Sequence, residues 1–232
     1  MVSVIIVAAG SSSRMNGVNK QLEKIGDIPV FVMSALKFDK SDKVGEILIA
    51  APEDDVQRYE KLARNFGVEK LAAVVAGGDT RMGSVRRCLD KVSTKADYIA
   101  VHDGARPLIE PEDIERVFAD AEKYKAAIAA VPAVDTIKTV GVNGFIESTP
   151  PRGKLFYAQT PQVFLKKLYL SCLEKADKTA LLNITDDSSV LELCGEYVKI
   201  TEIESCNMKI TRPEDLAAAE AIYLSKRTVK NV

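Results

Sequence analysis

Short runs of Val, Ile and Ala recur at 2–9, 44–51, 70–76, 98–101, 126–131 and 197–201, and they do not alternate apolar with polar residues. A strand with one wet face alternates, whereas a strand covered on both faces does not. These runs therefore predict a mostly parallel sheet with helices on either side. Helical periods lie between them. Val56, Tyr59, Leu62, Ala63 and Phe66 share a face, as do Met82, Val85, Leu89 and Val92, and as do Ile114, Val117, Phe118 and Ala121. Thr211-Arg212-Pro213-Glu214 has capping-box spacing ahead of a last helical pattern through Leu216, Ala219 and Ile222. Strand–helix alternation without a Gly/Ser-rich linker points to a single doubly wound α/β domain over 1–232.

One stretch departs from this rhythm. Residues 133–162 hold no long helical period but carry turn signals at Gly141-Val142-Asn143-Gly144 and Pro150-Pro151. A hairpin-like arm, inserted at about 133–158, is expected there.

Composition removes several classes of function. The chain has 232 residues, 47% of them apolar, and a net charge of −1, so it has no basic field to hold nucleic acid by counterion release. Cys88, Cys172, Cys194 and Cys206 lie far apart with no CxxC pair, which predicts reduced structural thiols and no zinc site. The first apolar run lacks a basic flank, and none approaches the roughly 20 residues of a membrane span. A cytoplasmic protein without membrane association is the expectation.

Chemistry concentrates where the apolar runs end. The first run leads into Ala8-Ala9-Gly10-Ser11-Ser12-Ser13-Arg14-Met15, followed by Lys20. Small residues allow close backbone approach, successive N–H groups can cradle phosphate oxygens, and Arg14 and Lys20 would neutralise them. The same stretch also reads as a plain turn with two solvated cations. It is neither a P-loop nor a GxGxxG turn, which removes the best support for a kinase or dehydrogenase. Ala76-Gly77-Gly78-Asp79-Thr80-Arg81 follows another run; it can admit a flat base beside Asp79, or be a loop with Asp79 as helix cap.

Val101-His102-Asp103-Gly104-Ala105-Arg106-Pro107 puts an acid at the end of a buried strand, where open α/β sheets bind ligands. Asp103 suits Mg²⁺, which takes one or two carboxylates plus phosphate oxygens. His102, the single histidine, reads as a packed residue rather than a base. Asp135-Thr136-Ile137-Lys138, Arg152 and Gln159-Thr160-Pro161-Gln162 fall on or near the arm, where a solvated hairpin would also account for them. Thr185-Asp186-Asp187 reads as a helix start with Thr185 as cap, and Lys209 sits in Asn207-Met208-Lys209-Ile210-Thr211 before the last helix.

Taken in order, AAG…RM…K, GGD…R…S, VHDGARP, DTIK, R…QTPQ, TDD and N-x-K-x-T resemble the 2-C-methyl-D-erythritol 4-phosphate cytidylyltransferases of the non-mevalonate isoprenoid pathway, over nearly the whole chain. The resemblance implies a single-domain, Rossmann-like nucleotidyltransferase fold with a mostly parallel, mixed sheet and a protruding β-arm, dimeric through clasped arms. It implies that Ala8, Ala9, Gly10, Gly78, Asp79 and Ser84 surround the cytidine of CTP, and that Arg14 and Lys20 hold its phosphates. Asp103 would bind Mg²⁺ and Lys209 would stabilise the reacting phosphate. The polyol phosphate would meet Arg106, Thr185 and Thr211, with Thr136 and Arg152 reaching in from a partner's arm.

Ser12 stands where the family's loop carries a second glycine, at a cost of about 1–2 kcal/mol if its φ is positive. A further glycine of the family is absent at Ile203-Glu204. The ribitol 5-phosphate cytidylyltransferases share the early strings but lack the lysine that stands here as Lys138. A non-catalytic nucleotide sensor would be expected to lose Arg14, Lys20 and Lys209, which are all present. An attacking phosphate monoester, whose second pKa is about 6, is an anion near neutrality, so the expected displacement needs no general base.

Overall fold

A computed structural model of the chain describes residues 1–10, 19–176 and 184–230. Strand β1 (Val2–Val7) is followed by a small antiparallel pair, β2 (Lys24–Ile25) and β3 (Ile28–Pro29), and by α1 (Val30–Asp39). Then come β4 (Val44–Ala51), α2 (Val56–Asn65), β5 (Leu71–Ala76), α3 (Arg81–Leu89), β6 (Tyr98–Asp103), α4 (Pro111–Tyr124) and β7 (Ala126–Pro132). A hairpin of β8 (Thr139–Val140) and β9 (Ile146–Ser148) precedes β10 (Phe156–Leu165) and α5 (Lys166–Lys175). The chain continues through α6 (Ser188–Leu193) and β11 (Lys199–Glu202) to α7 (Pro213–Lys230).

Seven strands form the central sheet in the order β11-β7-β10-β6-β1-β4-β5. Its pairs are parallel except those of β10, which runs antiparallel to both β6 and β7. All six apolar runs are strands of this mixed sheet, and the reason they do not alternate is visible in the core. Val4 and Ile6 pack with Phe31, Phe38, Tyr59 and Phe118 on one face, while Ile5 packs with Val85, Phe164 and Tyr169 on the other. Helices α1, α2 and α4 thus cover one side, and α3, α5 and α6 the opposite one. The predicted helical faces are the ones buried, as Tyr59 and Ala63 show in α2 and Ile114, Val117, Phe118 and Ala121 in α4.

Three local readings change. Phe156–Leu165, whose first three residues fell within the expected arm, is a strand inside the sheet, with Gln162 opposite Val101 on one side and Ile128 on the other. Its register shifts between Ala158 and Gln162, which takes Pro161 out of the ladder. Thr185 is exposed and does not cap α6; Asp186 does that work, accepting from the Ser189 N–H. At α7 the acid that reaches back is Asp215, which accepts from the Thr211 and Arg212 N–H groups, rather than Glu214.

Candidate active site

The parallel strands bring three loops to one edge at one level. Val7 lies opposite both Asp103 and Ala50 in the ladder, and Ala51 lies opposite Ala76. The backbone carries this alignment one residue further, since the Ala8 N–H donates to Ala50 O at 2.9 Å, Gly77 to Ala51 O at 2.8 Å and Gly104 to Val7 O at 2.9 Å. Ala8-Ala9-Gly10, Gly77–Thr80 and Asp103–Arg106 therefore leave the sheet side by side, at its carboxyl edge.

Gly77 and Gly78 are required by packing at this edge. A Cβ on Gly77 would stand 2.2 Å from Ala9 Cβ, and one on Gly78 would stand 2.8 Å from the Gly83 carbonyl carbon. Ser84 lies buried beneath this loop. Its Oγ accepts from the Gly78 N–H at 3.1 Å and reaches Thr80 O at 3.1 Å. The cap of α3 is Thr80, whose Oγ1 accepts from the Gly83 N–H at 2.9 Å, so Asp79, exposed on the same loop, is left out of capping. The turn holding Asn19, Lys20 and Gln21 adjoins the β6 loop, because Gln21 Oε1 lies 2.9 Å from where a Cβ on Gly104 would be. Gln21 Oε1 is buried with no donor among the described residues.

Asp103 is the centre of charge. Its carboxylate is met by Arg81 Nε at 3.3 Å on Oδ1, and by Arg106 Nε at 3.4 Å and Lys209 Nζ at 2.8 Å on Oδ2. Burial by itself would raise its pKa, but Arg81, Lys209 and Arg106 hold it well below the usual carboxylate range. Lys209 reaches it because the segment before α7 lies against the β6 loop, the Ile210 N–H donating to Ala105 O at 2.9 Å. Arg106 is anchored a second time, by Nη1 to Asn207 O at 2.8 Å, and Asn207 in turn donates from Nδ2 to Thr160 O at 2.8 Å.

His102 is fully buried, and its ring nitrogens are both engaged. Nε2 lies 3.1 Å from Arg106 O, which can only accept, so Nε2 carries the proton. Nδ1 then accepts from Thr160 Oγ1 at 3.1 Å, and Thr160 Oγ1 accepts from the Asp103 N–H at 3.1 Å. Burial pushes the imidazole down to about 4, with the Arg106 carbonyl opposing the shift. His102 is thus a neutral spacer that fixes the backbone on which Asp103 stands, in agreement with the packed reading.

Thr160 and Gln162, expected near a solvated hairpin, are buried in β10 next to this network. Thr136 and Arg152 are exposed, and the described hydrogen bond of Arg152 stays within the arm, from Nη1 to Val134 O at 2.9 Å. Thr211 is tied to Asp215 through both its N–H and its hydroxyl, and Thr185 is exposed before α6. Arg14 and Ser12 lie outside the described residues. Arg81, which the motif string contained without a role, is the residue that sequence reading passed over. It joins Asp103 to Asp187, with Nη1 2.5 Å from Asp187 Oδ2 across a sequence separation of 106 residues.

A cation site here would have one protein carboxylate. Among the described residues no group of three or more His, Cys, Asp or Glu could enclose a metal ion. No described helix is long and apolar enough to cross a membrane.

Comparison with known proteins adds an independent line. The family model described as 2-C-methyl-D-erythritol 4-phosphate cytidylyltransferase matches residues 2–225. The protein of that name from Caldanaerobacter subterraneus subsp. tengcongensis is 40% identical over 227 residues, covering 97% of this chain and 99% of its own length. One from Geobacillus kaustophilus is 38% identical over 224 residues, 96% of each. Among solved structures, the 4-diphosphocytidyl-2C-methyl-D-erythritol synthase of Anaerococcus prevotii superposes with a TM-score of 0.84 at 29% identity, covering 97% of this chain and 98% of that one.

Proposed function

This chain belongs to the 2-C-methyl-D-erythritol 4-phosphate cytidylyltransferase family, and we propose that it joins CTP to 2-C-methyl-D-erythritol 4-phosphate at the pocket around Asp103. The products would be 4-diphosphocytidyl-2-C-methyl-D-erythritol and pyrophosphate, an intermediate of isoprenoid biosynthesis and its leaving group. The observation that carries this reading is Asp103, ionised among Arg81, Arg106 and Lys209 at the edge where the glycine loop and the β1 loop meet.

The difficulty in such a displacement is to bring two anions together and to stabilise charge at the α-phosphorus. The polyol phosphate arrives as a nucleophilic anion, because its second pKa is about 6. No side chain has to take a proton, and His102, buried with both nitrogens occupied, is not placed to do so. The work left for the protein is orientation and positive charge. Ala8, Ala9, Gly10, Gly78, Asp79 and Ser84 would form the wall for the cytidine, with Arg14 and Lys20 on the phosphates.

The three cations on Asp103 differ in freedom. Arg81 is also tied to Asp187 and Arg106 to Asn207 O, whereas Lys209 has the most exposed side chain, at 38% against 26% and 11%. Lys209 is therefore the group that turns from Asp103 to the reacting phosphate. Arg106, Thr185 and Thr211 would receive the polyol phosphate.

The donor set fits Mg²⁺ with a nucleotide present: one carboxylate kept ionised, the remaining ligands being phosphate oxygens and water. Asp103 would hold the ion, which when bound would offset charge on the nucleotide phosphates. Thr136 and Arg152 would serve a partner's site in a homodimer. Support comes from Val142, Phe145 and Ile146, strongly exposed on a two-stranded hairpin that would be marginal alone in water.

Pyrophosphate release from CTP and Mg²⁺, measured with 2-C-methyl-D-erythritol 4-phosphate and with ribitol 5-phosphate, tests the assignment. Selective turnover of the erythritol phosphate is expected, and preference for the ribitol phosphate would overturn it.

A further inference from the structure

Behind Asp103 stands a second buried carboxylate that the chemistry above leaves unused. Asp187 is fully buried at the start of α6. Its backbone N–H and that of Ser188 both donate to Gln162 Oε1, at 2.9 and 3.0 Å, so β10 fixes where residue 187 stands. Its Oδ1 accepts from the Tyr169 hydroxyl at 2.7 Å, and its Oδ2 accepts from Arg81 Nη1 at 2.5 Å. A buried carboxylate is costly unless it is paired and hydrogen-bonded, and Arg81 supplies the countercharge here. The guanidinium is thereby held from behind, with Nε directed at Asp103 Oδ1.

The division of labour on Asp103 makes this anchoring consequential. Arg106 and Lys209 meet Oδ2, whereas Arg81 meets Oδ1. When Lys209 leaves for a phosphate, Arg106 keeps a long bond of 3.4 Å on Oδ2, and the tilt of the carboxylate is set by Arg81. We infer that Asp187 and Tyr169 are positioning residues for the transfer, acting through Arg81 to keep Asp103 oriented while Lys209 moves. The inference rests on the reading of the site given above. Neither residue is expected to touch substrate, and Tyr169 belongs to none of the motif strings.

A double-mutant cycle separates this role from a general loss of packing. Asp187→Asn, which keeps the shape and removes the charge, is expected to lower kcat about tenfold while the KM for CTP stays within about twofold. In an Arg81→Ala background the same substitution is expected to change kcat by less than about twofold, because the group it acts through is gone. Equal losses in both backgrounds would overturn the proposal. Tyr169→Phe, a milder change, is expected to cost about threefold in kcat, and to add nothing to Asp187→Asn.

A crystal structure of Asp187→Asn gives a readout that needs no turnover. Arg81 should be displaced from Asp103 Oδ1, and Arg81 unmoved would refute the inference. If the unmodified protein released no pyrophosphate with either polyol phosphate, the functional reading would fall, and that crystal structure would still decide whether Asp187 sets Arg81.

Discussion

Lys209 and Lys20 carry the sharpest expectation for single side chains. Replacing either by alanine should cost at least about 2–3 kcal/mol in kcat/KM, comparable to losing one preorganised oxyanion donor. Pyrophosphate release measures this, and near-normal turnover would remove that lysine from the mechanism. His102 gives a stability prediction instead. Its folded pKa, pushed down to about 4 by burial, lies below the ordinary 6.5, so the folded state resists protonation and the unfolded state does not. Its contribution is complete above about pH 6.5 and is lost as pH falls toward about 4, by roughly 3 kcal/mol over that window. Denaturant titrations at several pH values should show that slope, and His102→Gln should flatten it. Parallel slopes in both proteins would contradict the buried neutral imidazole. Asp103 and the cations near it were visible as residue types in the strings, but their pairing was not.

At the scale of elements, helical period and strand run were legible, and ends were not. The face of α2 was read correctly from Val56, Tyr59, Leu62, Ala63 and Phe66 because burial repeats along it. Caps depend on one hydroxyl finding one N–H, so Asp79 was named where Thr80 serves, and Thr185 where Asp186 does. Thr80→Ala should therefore lower stability by about 1 kcal/mol, visible as a shift in the denaturation midpoint. Asp79→Ala should shift it much less. Lys125, which ends α4 in the left-handed region with φ 72°, invites the opposite test. Lys125→Gly should raise the denaturation midpoint by an amount worth about 0.5–1 kcal/mol, since relief of strain outweighs the added chain entropy; an unchanged or lower midpoint would contradict it. Strand β10 escaped notice because Gln159-Thr160-Pro161-Gln162 breaks its apolar pattern, and a proline argues against a central strand.

For the whole molecule, one antiparallel strand between β6 and β7 is what closes the site. It brings Thr160 beneath the Asp103 N–H and Gln162 against the start of α6. Two predictions belong at this scale. Chelating divalent cations should abolish pyrophosphate release, and Mg²⁺ should restore it; full activity in chelator would exclude the ion from the reaction. The proposed arm-mediated homodimer is tested by Phe145→Ser with Ile146→Ser on the exposed hairpin: in sedimentation velocity the unmodified protein should run as a dimer and the variant as a monomer with lowered turnover. A monomeric unmodified protein, or association undisturbed in the variant, would overturn that interface.

The non-alternating runs, the helical periods and the order of the motifs are local properties, and local physics sufficed to read a mostly parallel sheet and its flanking helices. What lay beyond the linear chain was every contact that depends on distant segments meeting. Arg81 and Asp187 are 106 residues apart, and no periodicity in either neighbourhood announces the other. The full burial of the Asp187 carboxylate demands a paired cation, and that condition exists only after the sheet has closed around it.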